Sequence, residues 1–201
     1  MRFVKSVHHP GNKGLSVVRV HRYDRHGDRR RMAISAASLL GVEYPGGLRA
    51  EWSYPLLAQS LQRIGAPTSD QIELFDRMVF NAVVGNDDDH PRNHAVIYET
   101  EQSRWRLSPA FDVVPNPDDE PLALSMQLSQ GRFDISRDAV LTDARHFGFN
   151  TLADAQQHLD ALLIRIREAF HASTIALPKA LSELLRLRLT RVCESLHSHS
   201  T

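Results

Sequence analysis

The clearest helical pattern in this chain is followed by four polar residues in a row: Asn86, Asp87, Asp88 and Asp89. Adjacent carboxylates repel one another unless water or a cation neutralises them. A solvated surface loop is the simplest interpretation of such a segment, because loops are generally polar. A Mg²⁺ site is the alternative interpretation, because this ion prefers oxygen ligands.

Two further features favour the metal site. Asn93 follows Asp88 with four residues between them, which is the spacing of the catalytic Asp and the Mg²⁺-binding Asn in the protein-kinase catalytic loop. A later segment, Ser108-Pro109-Ala110-Phe111-Asp112, supplies another carboxylate. The Asp-to-Asn spacing alone is weak evidence, but the ordered set Asp88, Asn93 and Asp112 predicts Mg²⁺-dependent phosphoryl transfer.

A metal-dependent phosphohydrolase is a competing interpretation of the same segment. Its ligands would be Asp87, Asp88, Asp89 and His90. This interpretation is the least favoured, because neighbouring side chains point in different directions and four consecutive ligands rarely converge on one ion. We expect His90 and His94 to be structural loop residues, because Mg²⁺ prefers oxygen ligands.

The acidic segment is positioned by the elements on either side of it. Residues 70–84 form an amphipathic helix, for which Thr68 or Ser69 is the expected N-terminal cap and Gly85 the expected end. Two short apolar strands are predicted after the segment, at residues 94–98 and 104–107. These strands would attach both candidate metal-binding segments to a packed base.

The rest of the chain predicts more helix than strand. A hairpin is expected from strands at residues 3–7 and 15–23 around a turn at 8–14. Further helices are expected at residues 34–40, at 53–64, at 152–170 and after Pro178. The expected irregular segments are a solvated basic loop at Arg29, Arg30 and Arg31, a proline-rich loop at 114–121 and a disordered tail at 195–201. The predicted fold is mainly α with small β-hairpins, an α+β domain spanning residues 1–201.

Composition excludes several classes of protein. Lys plus Arg and Asp plus Glu both number 24, so the formal net charge is zero, which argues against a mainly electrostatic nucleic-acid binder. The single cysteine, Cys193, permits no intrachain disulfide and indicates a reducing compartment such as the cytoplasm. No apolar run is long enough to cross a membrane, and residues 1–14 lack the apolar core of a signal peptide.

The acidic segment and residues 108–112, taken with the elements around them, resemble the C-terminal lobe of HipA-family serine/threonine kinases. These kinases are the toxin halves of bacterial toxin–antitoxin pairs. The resemblance runs from about Val17 to near the C-terminus. Residues 18–25 are similar to the family's hinge strand, and residues 34–41 are similar to the helix that follows it in one subgroup. Residues 86–94 match the pattern Asn-x-Asp-Asp-His-x-Arg-Asn-His, and residues 108–112 match Ser-Pro-Ala-Tyr-Asp with Phe111 in place of Tyr.

The resemblance implies a role for each matching residue. Asp88 would be the catalytic base, with His90 supporting the loop geometry. Asn93 and Asp112 would bind Mg²⁺ and, through it, ATP. Arg92 would lie near the transferred phosphate and stabilise its charge. The adenine of ATP would lie along residues 21–23, which include His21 and Tyr23.

The chain departs from the family in its N-terminal part. No Gly-rich loop precedes Val17, and no Lys lies on a strand with a helical Glu behind it, so residues 1–25 are interpreted as a remnant hinge hairpin. We therefore expect either an excised C-terminal piece or a short protein that a separate N-lobe chain completes.

The resemblance also implies partners. They are a protein substrate, a helix-turn-helix antitoxin and DNA reached only through that antitoxin. The alternative to an active kinase lobe is a catalytically incompetent, kinase-derived module that docks an antitoxin or an N-lobe partner.

Overall fold

A computed structural model describes residues 1–11, 16–116, 123–172 and 177–197 of the chain. Its helices are α1 (Ala36–Leu40), α2 (Tyr54–Arg63), α3 (Thr68–Val84), α4 (Arg137–Thr142), α5 (Leu152–Ala172) and α6 (Lys179–His197). Its strands are β1 (Ser6–Pro10), β2 (Ser16–Val20), β3 (Arg25–His26), β4 (Arg29–Arg30), β5 (Ala33–Ser35), β6 (Ala95–Glu99) and β7 (Arg104–Leu107). The prediction of a mainly helical α+β fold is confirmed.

Helix α3 lies at the centre of the core. It packs against α2, α5 and α6. Its side chains Leu74, Phe75, Met78, Val79 and Ala82 are fully buried. Burying a Leu, Phe or Met side chain contributes about 1.5–3 kcal/mol, so these residues hold α3 in place and with it the loop that follows.

A three-stranded antiparallel sheet supports both candidate segments. Strand β6 is central, with β5 and β7 on either side. Val96, near the start of β6, pairs with Leu107 at the end of β7. The Ser108 amide donates a 2.8 Å hydrogen bond to the Ala95 carbonyl. Antiparallel pairing therefore places the end of the acidic segment beside the start of residues 108–112.

Several predicted boundaries were wrong. Ile34 belongs to β5, where it pairs with Val96, so the first helix begins at Ala36 and not at residue 34. The capping prediction for Thr68 and Ser69 was also wrong. Helix α3 begins at Thr68, and Pro67 before it makes no side-chain capping hydrogen bond.

The N-terminal prediction was right about the hairpin and wrong about its limits. Strands β1 and β2 pair as an antiparallel hairpin, but β1 starts at Ser6 and continues through His9 into Pro10, where a turn was expected. Residues 12–15 of that predicted turn lie outside the described part of the chain. The basic loop is a short hairpin in which His26 pairs with Arg29.

The C-terminal helices match the prediction, with one addition and one correction. The addition is α4, which sequence periodicity did not indicate. The correction concerns the tail, because residues 195–197 belong to α6, while 198–201 lie outside the described residues. The proline-rich loop is irregular over residues 114–116, and residues 117–121 also lie outside the described part. Over the described ranges, no helix has the length and apolar character that crossing a membrane requires.

Candidate active site

The acidic segment takes its direction from Gly85. This residue ends α3 with φ 72° and ψ 32°, in the left-handed region that glycine adopts without penalty. An added Cβ at Gly85 would lie 2.3 Å from Nε of Arg188. Arg188 comes from α6 and is 1% exposed. The end of α3 therefore lies directly against a buried guanidinium group from the C-terminal helix.

Asp88 and Asn93 are linked to each other. The Nδ2 group of Asn93 donates a 3.1 Å hydrogen bond to the backbone carbonyl of Asp88. Asn93 is buried, whereas Asp88 is exposed. An amide that donates through its nitrogen presents its oxygen on the other side. The loop thus offers one exposed carboxylate and one oriented amide oxygen, five positions apart.

Asp89 points into the protein and is 1% exposed. Its carboxylate accepts hydrogen bonds from the Tyr54 hydroxyl and lies 3.0 Å from Nε2 of His94. Asn81 donates to the Tyr54 oxygen over 2.9 Å, and Asn86 donates to Asn81 over 3.2 Å. Burial first, and then the charge of Asp89, raises the pKa of the Tyr54 hydroxyl well above its ordinary value. Asp89 therefore anchors the loop and is not directed at a ligand.

This arrangement argues against the phosphohydrolase interpretation. That interpretation needed Asp89 and His90 to share an ion with Asp87 and Asp88, but Asp89 is engaged by Tyr54 inside the protein. Across the described ranges, no group of three or more His, Cys, Asp or Glu side chains is arranged to hold a metal ion.

Residues 108–112 are held by two elements distant in sequence. Nη2 of Arg77 on α3 donates to the Ser108 carbonyl. The Ala110 amide donates over 2.7 Å to the Arg2 carbonyl, and the Val4 amide donates over 2.9 Å to the Ala110 carbonyl. The N-terminal segment and α3 together therefore fix the backbone that leads into Asp112.

A set of ion pairs ties the N-terminal segment to α3. Nε of Arg2 lies 2.8 Å from the Glu73 carboxylate, and Nη2 of Arg77 lies 2.6 Å from it. Burial raises the pKa of Glu73, but hydrogen bonds from Arg77 and Arg2 outweigh burial, and the net pKa is below its ordinary value. Asp70, which is 1% exposed, accepts two 2.8 Å hydrogen bonds from Arg106.

Asp112 has an unusual backbone. Its φ is 57°, and Ser103 is the one other non-glycine residue with a positive φ in the described ranges. Such a conformation costs about 1–3 kcal/mol and is concentrated at functional sites. Phe111 and Val113, on either side of Asp112, contact the same small cavity as Asn93. The exposed Asp112 therefore lies on a strained backbone that borders the acidic loop, by which we mean residues 85–94 between α3 and β6.

Tyr23 lies beside this segment, whereas His21 does not contact it. The Tyr23 ring stacks on Phe111 with a centroid distance of 5.2 Å and an interplanar angle of 20°. Burial raises the pKa of the Tyr23 hydroxyl. His21 is exposed, and its amide donates to the Lys5 carbonyl over 2.8 Å. The structure brings Tyr23 next to Asp112 and leaves His21 on the edge of the hairpin.

His90 and Arg92 share an aromatic neighbour from the segment between α1 and α2. Tyr44 packs on His90 with ring centroids 3.9 Å apart, and the Arg92 guanidinium carbon lies 5.5 Å from the Tyr44 ring centroid. His90 is buried, which agrees with a structural role, while Arg92 is exposed. Tyr44 itself packs on Trp52 at 5.5 Å.

Sequence reasoning missed five residues of this site: Arg2, Tyr44, Tyr54, Arg77 and Asn81. One signal was available for two of them. Arg77 and Asn81 are polar residues four positions apart in the second half of α3, residues 77–84, whose other members are apolar, and this spacing puts the two on one face. The others gave no local signal.

The donor set fits magnesium better than a softer metal. Asn93 offers an amide oxygen and Asp112 a carboxylate, which are hard ligands of the kind that Mg²⁺ combines with water and substrate phosphates. The strained backbone of Asp112 and the oriented amide of Asn93 are the observations that support this fit.

A comparison with protein-family models assigns most of the chain to one family. Residues 4–174 match the model of the HipA-like C-terminal domain. Among curated protein sequences, none matches this chain at a significant level.

Two solved structures share its fold. HipA of Shewanella oneidensis MR-1, solved with HipB and its operator DNA, matches with a TM-score of 0.73 and 18% identity. That match covers 99% of this chain but 55% of HipA, so the chain spans about half the length of that protein. The proinflammatory kinase CtkA of Helicobacter pylori matches with a TM-score of 0.64 and 12% identity, over 98% of this chain and 80% of CtkA. The predicted resemblance is confirmed, and the chain belongs to the family of HipA-like C-terminal domains.

Proposed function

We propose that this chain is the catalytic lobe of a HipA-like serine/threonine protein kinase and transfers a phosphoryl group from Mg²⁺-ATP to a protein hydroxyl. One observation carries the proposal. Asn93 donates a 3.1 Å hydrogen bond to the backbone carbonyl of Asp88, whose side chain is exposed, and the two residues have the spacing of the catalytic Asp and the metal-binding Asn of the kinase catalytic loop. We further propose that the whole protein is the toxin of a toxin–antitoxin pair, with a HipB-like antitoxin as its partner.

Asp88 acts as the base in this mechanism. Its exposed carboxylate accepts the proton of the acceptor hydroxyl as that oxygen attacks the γ-phosphorus. The buried network at Asp89 keeps the loop from shifting. Arg92, whose guanidinium group is steadied by Tyr44, stabilises negative charge on the transferred phosphoryl group.

Asn93 and Asp112 would hold the metal ion. When bound, Mg²⁺-ATP supplies the γ-phosphoryl group and neutralises charge on the phosphates. The amide oxygen of Asn93 and the carboxylate of Asp112 would be the protein ligands of Mg²⁺, since Phe111 and Val113 on either side of Asp112 line the same small cavity as Asn93. The stacked pair of Tyr23 and Phe111 offers an aromatic surface against which the nucleotide can lie.

The test is phosphate transfer by the purified chain of residues 1–201. It is incubated with Mg²⁺ and γ-labelled ATP, and both ATP consumption and incorporation into protein are measured. Asp88→Asn is expected to lower transfer by about 100-fold or more, since general-base catalysis contributes about 10²–10⁴-fold. Glu101→Gln is the control, because Glu101 is an exposed carboxylate in the turn between β6 and β7. Transfer that survives Asp88→Asn contradicts the assigned role.

A non-catalytic docking module is the second candidate function. It is favoured by exposed apolar side chains on β2, where Val17, Val18 and Val20 are 62%, 60% and 52% exposed. Such a surface is suited to covering by an antitoxin or by a separate N-lobe chain. Calorimetric titration with Mg²⁺-ATP separates the two candidates. Nucleotide binding accompanied by transfer excludes the docking module, and the absence of both supports it.

A further inference from the structure

A solvent-open cavity lies on the side of the acidic loop that carries Arg92. Its volume is about 390 Å³, within the range of roughly 300–1,000 Å³ that is typical of ligand sites. The polar residues that line it are Ser35, Ser38, Glu43, Tyr44 and Arg92. Neither Asn93 nor Asp112 lines this cavity, so it lies apart from the ligands proposed for the metal.

The cavity is joined to the acidic loop by direct contacts. The Ala36 amide, at the start of α1, donates a 2.8 Å hydrogen bond to the His94 carbonyl at the end of the loop. Tyr44 forms the wall between the cavity and the loop, because its ring packs on His90 at 3.9 Å and lies under Arg92 at 5.5 Å. A ligand in this cavity therefore touches the same structural unit that positions Asp88.

The walls of the cavity are fixed without a ligand. The Ser35 and Ser38 hydroxyl oxygens lie 3.0 Å apart, and the Ser38 amide donates to the Ser35 oxygen over 3.2 Å. The chain folds back so tightly after Glu43 that a Cβ on Gly47 would lie 2.3 Å from the Glu43 carbonyl oxygen. The conformational entropy that the protein loses on binding a ligand here is therefore small, because these backbone segments already hold their positions.

The charges in the cavity favour one class of ligand. Glu43 is the single carboxylate among the lining residues, and it is exposed. Arg92 also lines the cavity, but the proposed mechanism assigns its guanidinium group to the transferred phosphoryl group, so a Lys or Arg side chain of a ligand would pair with Glu43. The hydroxyl groups of Ser35 and Ser38 can bond to a peptide backbone, which is both donor and acceptor.

We infer that this cavity binds the polypeptide segment that carries the acceptor hydroxyl, with a basic side chain of that segment paired to Glu43. We call it the acceptor cavity, and the inference rests on the proposed kinase function. In the phosphoryl transfer, the acceptor hydroxyl donates its proton to Asp88 while the hydroxyl oxygen forms a bond to the γ-phosphorus of ATP. The bond from that phosphorus to the bridging oxygen breaks, and ADP leaves with the electron pair.

The first experiment measures binding without nucleotide. Two fluorescein-labelled peptides with one central serine, flanked either by arginines or by glutamates, are titrated with the full chain and followed by anisotropy. The arginine peptide is expected to bind more tightly. Glu43→Gln is expected to weaken it about three- to fivefold, the scale of one exposed ion pair, and Glu43→Lys to reverse the preference. Glu51→Gln, an exposed carboxylate outside the cavity, is the control. Equal affinity for both peptides, or a preference unchanged by Glu43→Lys, overturns the inference.

A second experiment separates this inference from the proposed function. Ser38→Trp fills the cavity, and it is expected to raise the peptide KM while the affinity for Mg²⁺-ATP and the melting temperature stay unchanged. Phosphate transfer with a peptide KM unaffected by Ser38→Trp contradicts the acceptor cavity and leaves the kinase proposal standing. Glu43-dependent binding without any phosphate transfer contradicts the kinase proposal and leaves the cavity as a peptide-binding site.

Discussion

The side-chain amide of Asn93 donates a 3.1 Å hydrogen bond to the backbone carbonyl of Asp88. This bond closes the acidic loop on itself and orients the remaining oxygen of the Asn93 amide. One side chain thereby positions the proposed base and also offers a ligand to the proposed metal ion. The two roles use different atoms, so substitutions can separate them.

Asn93→Ala is expected to lose both roles, and Asn93→Asp to lose the hydrogen-bond donor while keeping an oxygen ligand. Transfer activity should fall about 100-fold in Asn93→Ala, with a higher Mg²⁺ concentration needed for half-maximal rate. Asn93→Asp should lower the maximal rate with a smaller change in that concentration. Titration of the initial rate with Mg²⁺ measures both quantities. A Mg²⁺ dependence identical in wild type and Asn93→Ala would rule out the ligand role.

Tyr54→Phe is expected to destabilise the protein by about 1–3 kcal/mol, the cost of leaving buried polar groups unpaired. The Tyr54 hydroxyl is fully buried between Asn81 and Asp89, and both lose a partner in the variant. Denaturant unfolding monitored by circular dichroism measures the change. Tyr98→Phe is the matched control, since the half-buried Tyr98 ring packs on Trp105. An equal loss of stability in both variants would show that the hydrogen bonds of the Tyr54 hydroxyl with Asn81 and Asp89 do not stabilise the fold.

Gly85→Ala and Gly41→Ala form a matched pair. Both glycines end helices, with φ 72° at Gly85 and φ 71° at Gly41, so an alanine meets the same backbone penalty of about 1–2 kcal/mol. A Cβ at Gly41 meets nothing within 4 Å, but at Gly85 it would displace the buried Arg188. We expect Gly85→Ala to cost about 3 kcal/mol or more in total, because overpacking adds about 1–3 kcal/mol. Thermal and denaturant unfolding provide the comparison, and similar values for the two variants would contradict the contact with Arg188.

Glu73→Gln is expected to change the pH dependence of stability. The folded pKa of Glu73 lies below its ordinary value of 4.5 because Arg77 and Arg2 outweigh burial. A depressed carboxyl pKa contributes stability that is present above the unfolded pKa and is lost as pH falls through the folded value. The variant should therefore be less stable than wild type by about 1–3 kcal/mol near pH 7, with the difference shrinking below about pH 4.5.

Urea unfolding at a series of pH values from 3 to 7 measures this difference. The control is Glu183→Gln, an exposed carboxylate on α6. A wild-type–variant difference that stays constant across the whole series would show that the charge of Glu73 does not contribute through Arg77 and Arg2.

Sequence patterns predicted the local features of the site well. The apolar periodicity of α2, α3, α5 and α6 and the glycine stop at Gly85 were both confirmed. Strands β6 and β7 were also found where alternation and turn residues indicated them. The roles of Asp88, Asn93 and Asp112 stay predictions that the experiments above can test.

Partners that are distant in sequence could not be predicted. Tyr54 and Asp89 are 35 residues apart, and Arg2 and Glu73 are 71 apart. The residue pattern around one member of each pair contains no information about the position of the other member. For the same reason the phosphohydrolase interpretation counted Asp89 among its ligands, although the structure places its carboxylate inside the protein.

The amino-acid sequence alone determined that α2, α3, α5 and α6 are helical, where α3 ends and how Asp88 is spaced from Asn93, because these properties depend on neighbours within a few turns of backbone. Tertiary structure alone decided which acidic side chain faces solvent, how the N-terminal segment holds residues 108–112 and where Tyr44 lies. Those outcomes depend on burial and on hydrogen bonds between elements that only packing brings together.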